Sequence, residues 1–315
     1  FLSRFPYNPV TTASLCVPAQ ETGLTINPAA RVFSLPLVSG FIGSDTVGVV
    51  LSTGLHRSRT PKMAIDIGTN GEIVLTDGKV MIACSCAAGP AFEGAHIQCG
   101  MRGAGGAIDR VDFARDGLQF HVIDGIRPKG ICGSGFVDAV AGMLSAGLIG
   151  SDGRLLTKEE IPESPFASML TKGKYNQFVL IGRKPCGSDS DSEVVITQKD
   201  IRELQLAKGA MMAGIRLLME KLGLREQDIK EVYLAGAFGN YVKPESALAI
   251  GLLPAFKNAV ITQVGNAAGS GAKMALLSVK ALKEAVKVAE QIEYIELAKA
   301  PHFHQEFLKG MSFPL

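Results

Sequence analysis

The sequence predicts an α/β fold in which mixed sheets are flanked by helices, and three observations carry that prediction. Residues 63–86, "MAIDIGTNGEIVLTDGKVMIACSC", hold three apolar runs separated by Asn70-Gly71 and Asp77-Gly78, the turn pairs expected in an antiparallel meander. Residues 201–222, "IRELQLAKGAMMAGIRLLMEKL", are a long run of good helix formers that stops at Gly223. Finally, "EVYLAGAFGNY" at 231–241 and "AVITQVGN" at 259–266 are apolar strands that each run through a glycine turn into a helix.

The remaining elements follow in chain order. "TVGVVLSTGL" at 46–55 is a small-residue helix that feeds the meander. "GAIDRVDFARDGLQFHVIDGI" alternates as a hairpin, and a helix begins within "GICGSGFVDAVAGMLSAGLI". Residues 151–195 are polar, rich in turns and expected at the periphery. Pro244 suits the first turn of the helix "PESALAIGLL", and a helix is expected through "AAGSGAKMALLSVKALKEAVKVA" at 267–289.

Composition narrows the function. A chain of 315 residues with 47% hydrophobic content can build two domains, or two lobes sharing a cleft. Lys plus Arg number 32 against 30 Asp plus Glu, so no field for a general polyanion is expected and nucleic acid is disfavoured as a partner. Gly133 to Gly150 is the most apolar stretch, but it carries Asp138 at helical spacing and reads as a packed helix, not a membrane span. No signal peptide is read. Cys16, Cys84, Cys86, Cys99, Cys132 and Cys186 form no C-x-x-C pair and no four-cysteine cluster spacing, as expected of free thiols in a reducing cytoplasm. Cys84 and Cys86 would share one face of a strand.

Asp66 is the first candidate for chemistry. Alternation puts Ile65 and Ile67 on one face of the strand, and Ala64, Asp66 and Gly68 on the other. A buried carboxylate costs several kcal/mol, on the order of other buried ions, unless a cation or donors compensate. The turn Gly68, Thr69, Asn70, Gly71 follows directly. Such a turn can aim backbone N–H groups at a phosphate while the acid holds hydrated magnesium, although an ordinary Asn-Gly hairpin with Asp66 capping its own turn explains the same residues. A second bare turn, Gly236 to Gly239, lies where a strand ends, the position at which such sheets bind ligands. A simple β-to-α connection is its plain alternative.

With both turns in place, "IDIGTNGEIVL" and "YLAGAFGNY" resemble the second phosphate motif and the adenosine motif of the actin-like ATPase superfamily, which includes sugar kinases and chaperone ATPases. Adding "AAGPAFEGAHI", "GICGSGFVDAV", "QLAKGA" and "VGNAAGSGA", nearly the whole chain resembles the carboxyl-terminal ATPase domain of reductive activators of corrinoid proteins. The resemblance implies an RNase H-like, actin-type fold of two lobes with a nucleotide cleft. It implies ATP and Mg2+ as ligands, a corrinoid protein as partner, and return of its cofactor from Co(II) to Co(I).

Carried over by position, Asp66 would hold the metal and act in catalysis with Glu93, which would orient water or ribose. Gly68, Thr69, Asn70 and Gly71 would meet the phosphates, Gly236, Ala237, Phe238 and Gly239 the adenosine, and Gln205 and Lys208 the ribose-and-adenine edge. For Lys208 a solvated helix charge, and for Glu93 a helix-start carboxylate, are the structural alternatives. Gly133-Ser134-Gly135 would either approach phosphate at a helix N-terminus or serve close helix packing.

The superfamily has two phosphate hairpins, and this chain has one clear example. With Phe1 as first residue and no cluster spacing, the expectation is a piece that begins inside the first lobe and lacks the first hairpin. The [2Fe-2S] electron donor would belong to a missing amino-terminal domain. The expected division is 1–55, the end of the first lobe; 56–255, the second lobe with a peripheral insertion; and 256–315, a closing βα segment. A homodimer is a possible assembly, and a small-molecule kinase of the same superfamily is the alternative function.

Overall fold

A computed structural model describes residues 8–114, 117–182 and 193–314; Phe1 and Cys186 lie outside them. A hairpin of β1 (Leu15–Pro18) and β2 (Arg31–Ser34) precedes helix α1 (Ser44–Thr53). The meander follows as β3 (Lys62–Ile67), β4 (Gly71–Thr76) and β5 (Met81–Cys86). A second sheet holds β6 (Ala107–Ala114), β7 (Gly117–Val122) and β8 (Gly130–Ile131), and leads to α2 (Gly133–Ser145). A third joins β9 (Leu170–Lys172), β10 (Asn176–Ile181) and β11 (Val194–Thr197), which runs straight into α3 (Gln198–Lys221). The chain continues through β12 (Glu231–Ala235), the one-turn α4 (Gly236–Gly239) and α5 (Pro244–Ala249). It closes with β13 (Val260–Gly265), α6 (Ala267–Leu277), α7 (Val279–Gln291), β14 (Ile292–Tyr294) and α8 (Phe303–Met311).

The central sheet runs β13-β12-β3-β4-β5-β14. Its meander is antiparallel, β12 and β13 lie parallel to β3, and β14 lies parallel to β5. Alternation sorts the side chains between two cores. Met63, Ile65, Ile67, Ile73, Leu75, Ile82 and Cys84 face the larger one, shared with α2 and α3, where each fully buried isoleucine contributes about 1.5–3 kcal/mol. Ala64, Val74 and Ala83 face the smaller one, beneath α1, α6 and α7. Small residues let those helices come close: a Cβ on Gly48 would stand 2.7 Å from the Ala268 carbonyl, and one on Gly271 would collide with the backbone of Gly48. α3 starts at a capping box in which Thr197 and Asp200 exchange side-chain-to-backbone bonds of 3.2 and 2.8 Å, and it stops before Gly223 at φ 63°.

Four features differ from the sequence reading. The first meander turn contains three residues, 68–70, and Gly71 lies inside β4, opposite Ile67; bare backbone is required there because Met211 packs against it. The expected helix over 267–289 breaks at Ser278, whose extended backbone and hydroxyl cap α7 at the Ala281 N–H. The segment expected at the periphery contributes Phe178, Leu180 and Val194 to the larger core, since its apolar runs have a buried face to fill. Beyond residue 289, β14 pairs with β5 and α8 packs on α3. No helix among the described residues is long and apolar enough to cross a membrane.

Candidate functional site

At the carboxyl end of β3 one rung of the sheet reads Ala235, Asp66, Glu72 and Ser85 across four strands. The rung lies on the face covered by α1, whose first turn carries Asp45. Burial, and then the charge of Asp45, push the Asp66 carboxyl up. Burial pushes Glu72 to about 7, opposed by a hydrogen bond of 3.1 Å from the Ser85 hydroxyl and reinforced by Asp45 and Asp66. None of these acids forms an ion pair among the described residues, so their ionised forms have no countercharge from the protein, and a cation would supply one.

Above the rung, Gly68 N–H donates to the Asn70 carbonyl at 3.0 Å and closes the loop. The backbone N–H groups of Thr69 and Asn70 have no partner among the described residues, and both residues are exposed. The Thr69 hydroxyl donates to the Glu93 carboxylate, which ties the tip to the 3-10 turn Pro90–Glu93. On the other side, Gly236 has φ 86°, and a Cβ there would collide with the Asp66 carboxylate and stand 2.8 Å from the Ile67 carbonyl. The two glycine turns found in the sequence thus meet at Asp66.

Other expected site residues are engaged differently. Phe238 is buried and stacked on Phe92, with ring centroids 4.8 Å apart, so its backbone and not its ring borders the turn surface; Ala237 is exposed. Gln205 and Lys208 are each 1% exposed. Gln205 Nε2 donates to the carbonyls of Asp152 and Met311, both at 3.0 Å, and Lys208 Nζ donates to those of Gly310 and Ser312, at 2.5 and 2.7 Å. Burial, and then Arg216, lower the Lys208 amine to about 7, while two carbonyls and the Phe313 ring at 5.0 Å favour its charged form. Both side chains therefore hold the carboxyl-terminal segment. Gly133 and Gly135 pack against the carbonyls of Phe92 and Ile108, and the Ser134 hydroxyl donates to the Asp109 carbonyl at 3.0 Å.

Glu72, Asp45 and Ser85 were not singled out in the sequence. A three-residue loop would have revealed Glu72, because it places that residue directly opposite Asp66. Cys84 and Cys86 do share a face, buried against Gly214, and burial pushes the Cys84 thiol up. Among the described residues no group of three or more His, Cys, Asp or Glu is arranged to hold a metal ion. Magnesium bound through one or two carboxylates and nucleotide phosphates needs no such cage.

Comparison with known proteins gives the family. Residues 60–315 match the C-terminal domain of RACo, the ASKHA domain, and residues 1–58 match the RACo middle region. The corrinoid activation enzyme RamQ of Eubacterium limosum is 37% identical over 304 residues, 95% of this chain and 50% of that protein. The [Co(II) methylated amine-specific corrinoid protein] reductase of Methanosarcina barkeri is 28% identical over 302 residues, 88% of this chain and 51% of that protein. A solved reductive activator for corrinoid, iron-sulfur protein superposes on 100% of the chain with TM-score 0.87 and 36% identity, over 49% of its own length. The chain spans about half the length of the curated relatives it matches. Sheet order, the meeting of the two glycine turns at one aspartate and these matches together place the chain in the RACo family, as its actin-like ASKHA domain preceded by sequence of the middle region.

Proposed function

We propose that the chain binds magnesium adenine nucleotide at the Asp66 rung and forms the ATPase portion of an activator that returns a corrinoid protein from Co(II) to Co(I). One observation carries the nucleotide reading: Gly236 backbone, the open tip of the 68–70 loop and the uncompensated carboxylates converge on one corner of the sheet. Asp66 and Glu72 fit a divalent cation, which supplies the missing countercharge and neutralises phosphate charge when bound. The free N–H groups of Thr69 and Asn70 would receive phosphate oxygens, and Glu93 would hold Thr69 in place for them. The bare turn at Gly236 admits the nucleoside.

The corrinoid reading rests on the relatives, two of which are named for activating or reducing corrinoid proteins. Electrons would enter from an iron–sulfur domain, a reading supported by the sequence, whose cysteines have no cluster spacing. Nucleotide-driven closure would alter the surface offered to the corrinoid protein. Calorimetry with MgATP on the parent chain, Asp66→Ala and Gly236→Val tests the site: binding by the parent alone is expected, and equal binding by all three would refute it. ATPase stimulation by a purified corrinoid protein, compared with a panel of sugars, tests the partner. Stimulation by a sugar alone would favour a small-molecule kinase.

A further inference from the structure

We propose that Gln263 is the positioning residue of the adenosine turn, an inference that rests on the nucleotide reading above. Two glycines, Gly236 and Gly239, make that turn intrinsically loose, and a helix of one turn ends with carbonyls that lack helical partners. Gln263, on the neighbouring strand β13, supplies them. Its Nε2 donates to the carbonyl of Gly239 at 3.0 Å and to that of Val242 at 2.8 Å, so both N–H groups of one amide are spent on the exit of the turn.

The rest of the turn is anchored independently. Phe238 packs on Phe92 from inside. At the foot, Lys243 pairs with Asp112 at 2.7 Å and with the buried Asp138 at 3.2 Å, and Asp138 also accepts from the Ser246 hydroxyl at 2.7 Å. These contacts fix the two ends and leave Ala237, Asn240 and Tyr241 exposed along the outer edge. Only Gln263 holds the carbonyls between Phe238 and Lys243 to the sheet among the described residues. Gln263 is itself exposed, so substituting it changes the placement of the turn and not the packing of the core.

A positioning role separates nucleoside from phosphate binding, because phosphates meet the 68–70 loop and the nucleoside meets the turn. The test is calorimetry of MgATP and of magnesium tripolyphosphate on the parent, Gln263→Met and Gln263→Glu, together with their unfolding midpoints. Methionine keeps the length and removes both donors; glutamate sets a carboxylate against two carbonyl oxygens. Gln263→Met should weaken ATP about five- to tenfold, the scale of losing two partly solvated hydrogen bonds, and Gln263→Glu at least as much. Tripolyphosphate affinity should not move, and unfolding midpoints should fall only by the few degrees, roughly, that two hydrogen bonds are worth. Unchanged ATP affinity in Gln263→Met, or equal weakening of ATP and tripolyphosphate, would overturn the proposal. A parent chain that binds tripolyphosphate but gains nothing from the nucleoside would overturn it as well, while leaving the Asp66 phosphate site standing.

Discussion

Asp66 and Glu72 stand directly opposite one another on β3 and β4, two carboxylates on one rung with Asp45 as a third charge nearby. Removing one charge relieves the others. Asp66→Asn should therefore raise the stability of the ligand-free chain by about 1 kcal/mol while abolishing magnesium-dependent nucleotide binding. Urea unfolding with and without MgATP checks both halves, and a destabilised Asp66→Asn that still binds would contradict the role given to the acid.

Burial of Glu72, reinforced by the same repulsion, gives a pH dependence of unusual sign. Glu72 keeps its proton to about 7 in the folded chain, whereas an unfolded glutamate loses it near 4.5. Between these values the folded state binds more protons, so this group makes the ligand-free chain less stable as pH rises from about 4.5 to about 7. The contribution is on the order of 1–2 kcal/mol at this half-buried site. Glu72→Gln should flatten that slope, measured as unfolding free energy at pH 5 and pH 7.5 in parent and variant.

Glu284 acts in the opposite direction and in a separate window. Arg57, at 2.5 Å, and His56, at 2.8 Å, hold its carboxyl down at about 2 and tie α7 to the chain just beyond α1. Its stabilisation is complete above the unfolded value of 4.5 and is lost as pH falls towards 2. Glu284→Gln should cost about 1–2 kcal/mol at pH 7, after allowance for solvent, and nothing near pH 2. Acid titration of the two proteins reads the difference.

The crossing of α1 and α6 tolerates no side chain. Gly271→Val would drive branched carbons into the backbone of Gly48, and overpacking of this kind costs roughly 2–4 kcal/mol. Gly54, whose Cβ would meet nothing within 4 Å, provides a comparison at a left-handed glycine where backbone strain acts alone. Denaturant midpoints of Gly271→Val and Gly54→Ala should differ by more than the strain of the latter.

Lys208→Met should leave nucleotide affinity unchanged, because the amine is committed to the carbonyls of Gly310 and Ser312. Limited proteolysis should instead cut the carboxyl-terminal segment faster in the variant. A tenfold or larger loss of MgATP affinity would return Lys208 to the nucleotide edge expected from its motif.

Much of the fold was legible in the sequence because its signals are local. The meander, the small-residue helix α1 and the strand-to-turn-to-helix units follow from alternation, helix formers and glycine, which need no knowledge of distant residues. Asp66 stood out for the same reason, as one charge in an apolar strand. Glu72 did not, since its importance depends on register, and register turned on whether the loop held two residues or three. Lys208 and Gln205 were misleading in a related way. Their motif is local, but both have partners more than a hundred residues later, in a segment with no strong pattern of its own, and Gln205 also reaches back to Asp152. The 151–195 segment looked peripheral because its polar turns outnumber the short apolar runs that enter the core.

Those distant partners set an order of events during synthesis. Lys208 emerges 102 residues before Gly310, so α3 leaves the ribosome with an ammonium group that has no acceptors of its own. It can lie against the sheet only with that charge still hydrated, and its burial waits for Gly310 and Ser312. Sealing of α3 is therefore a late event: until residues 310–312 arrive, the face of the helix around Lys208 stays wet, and a segment far away in sequence completes the burial of the longest helix among the described residues.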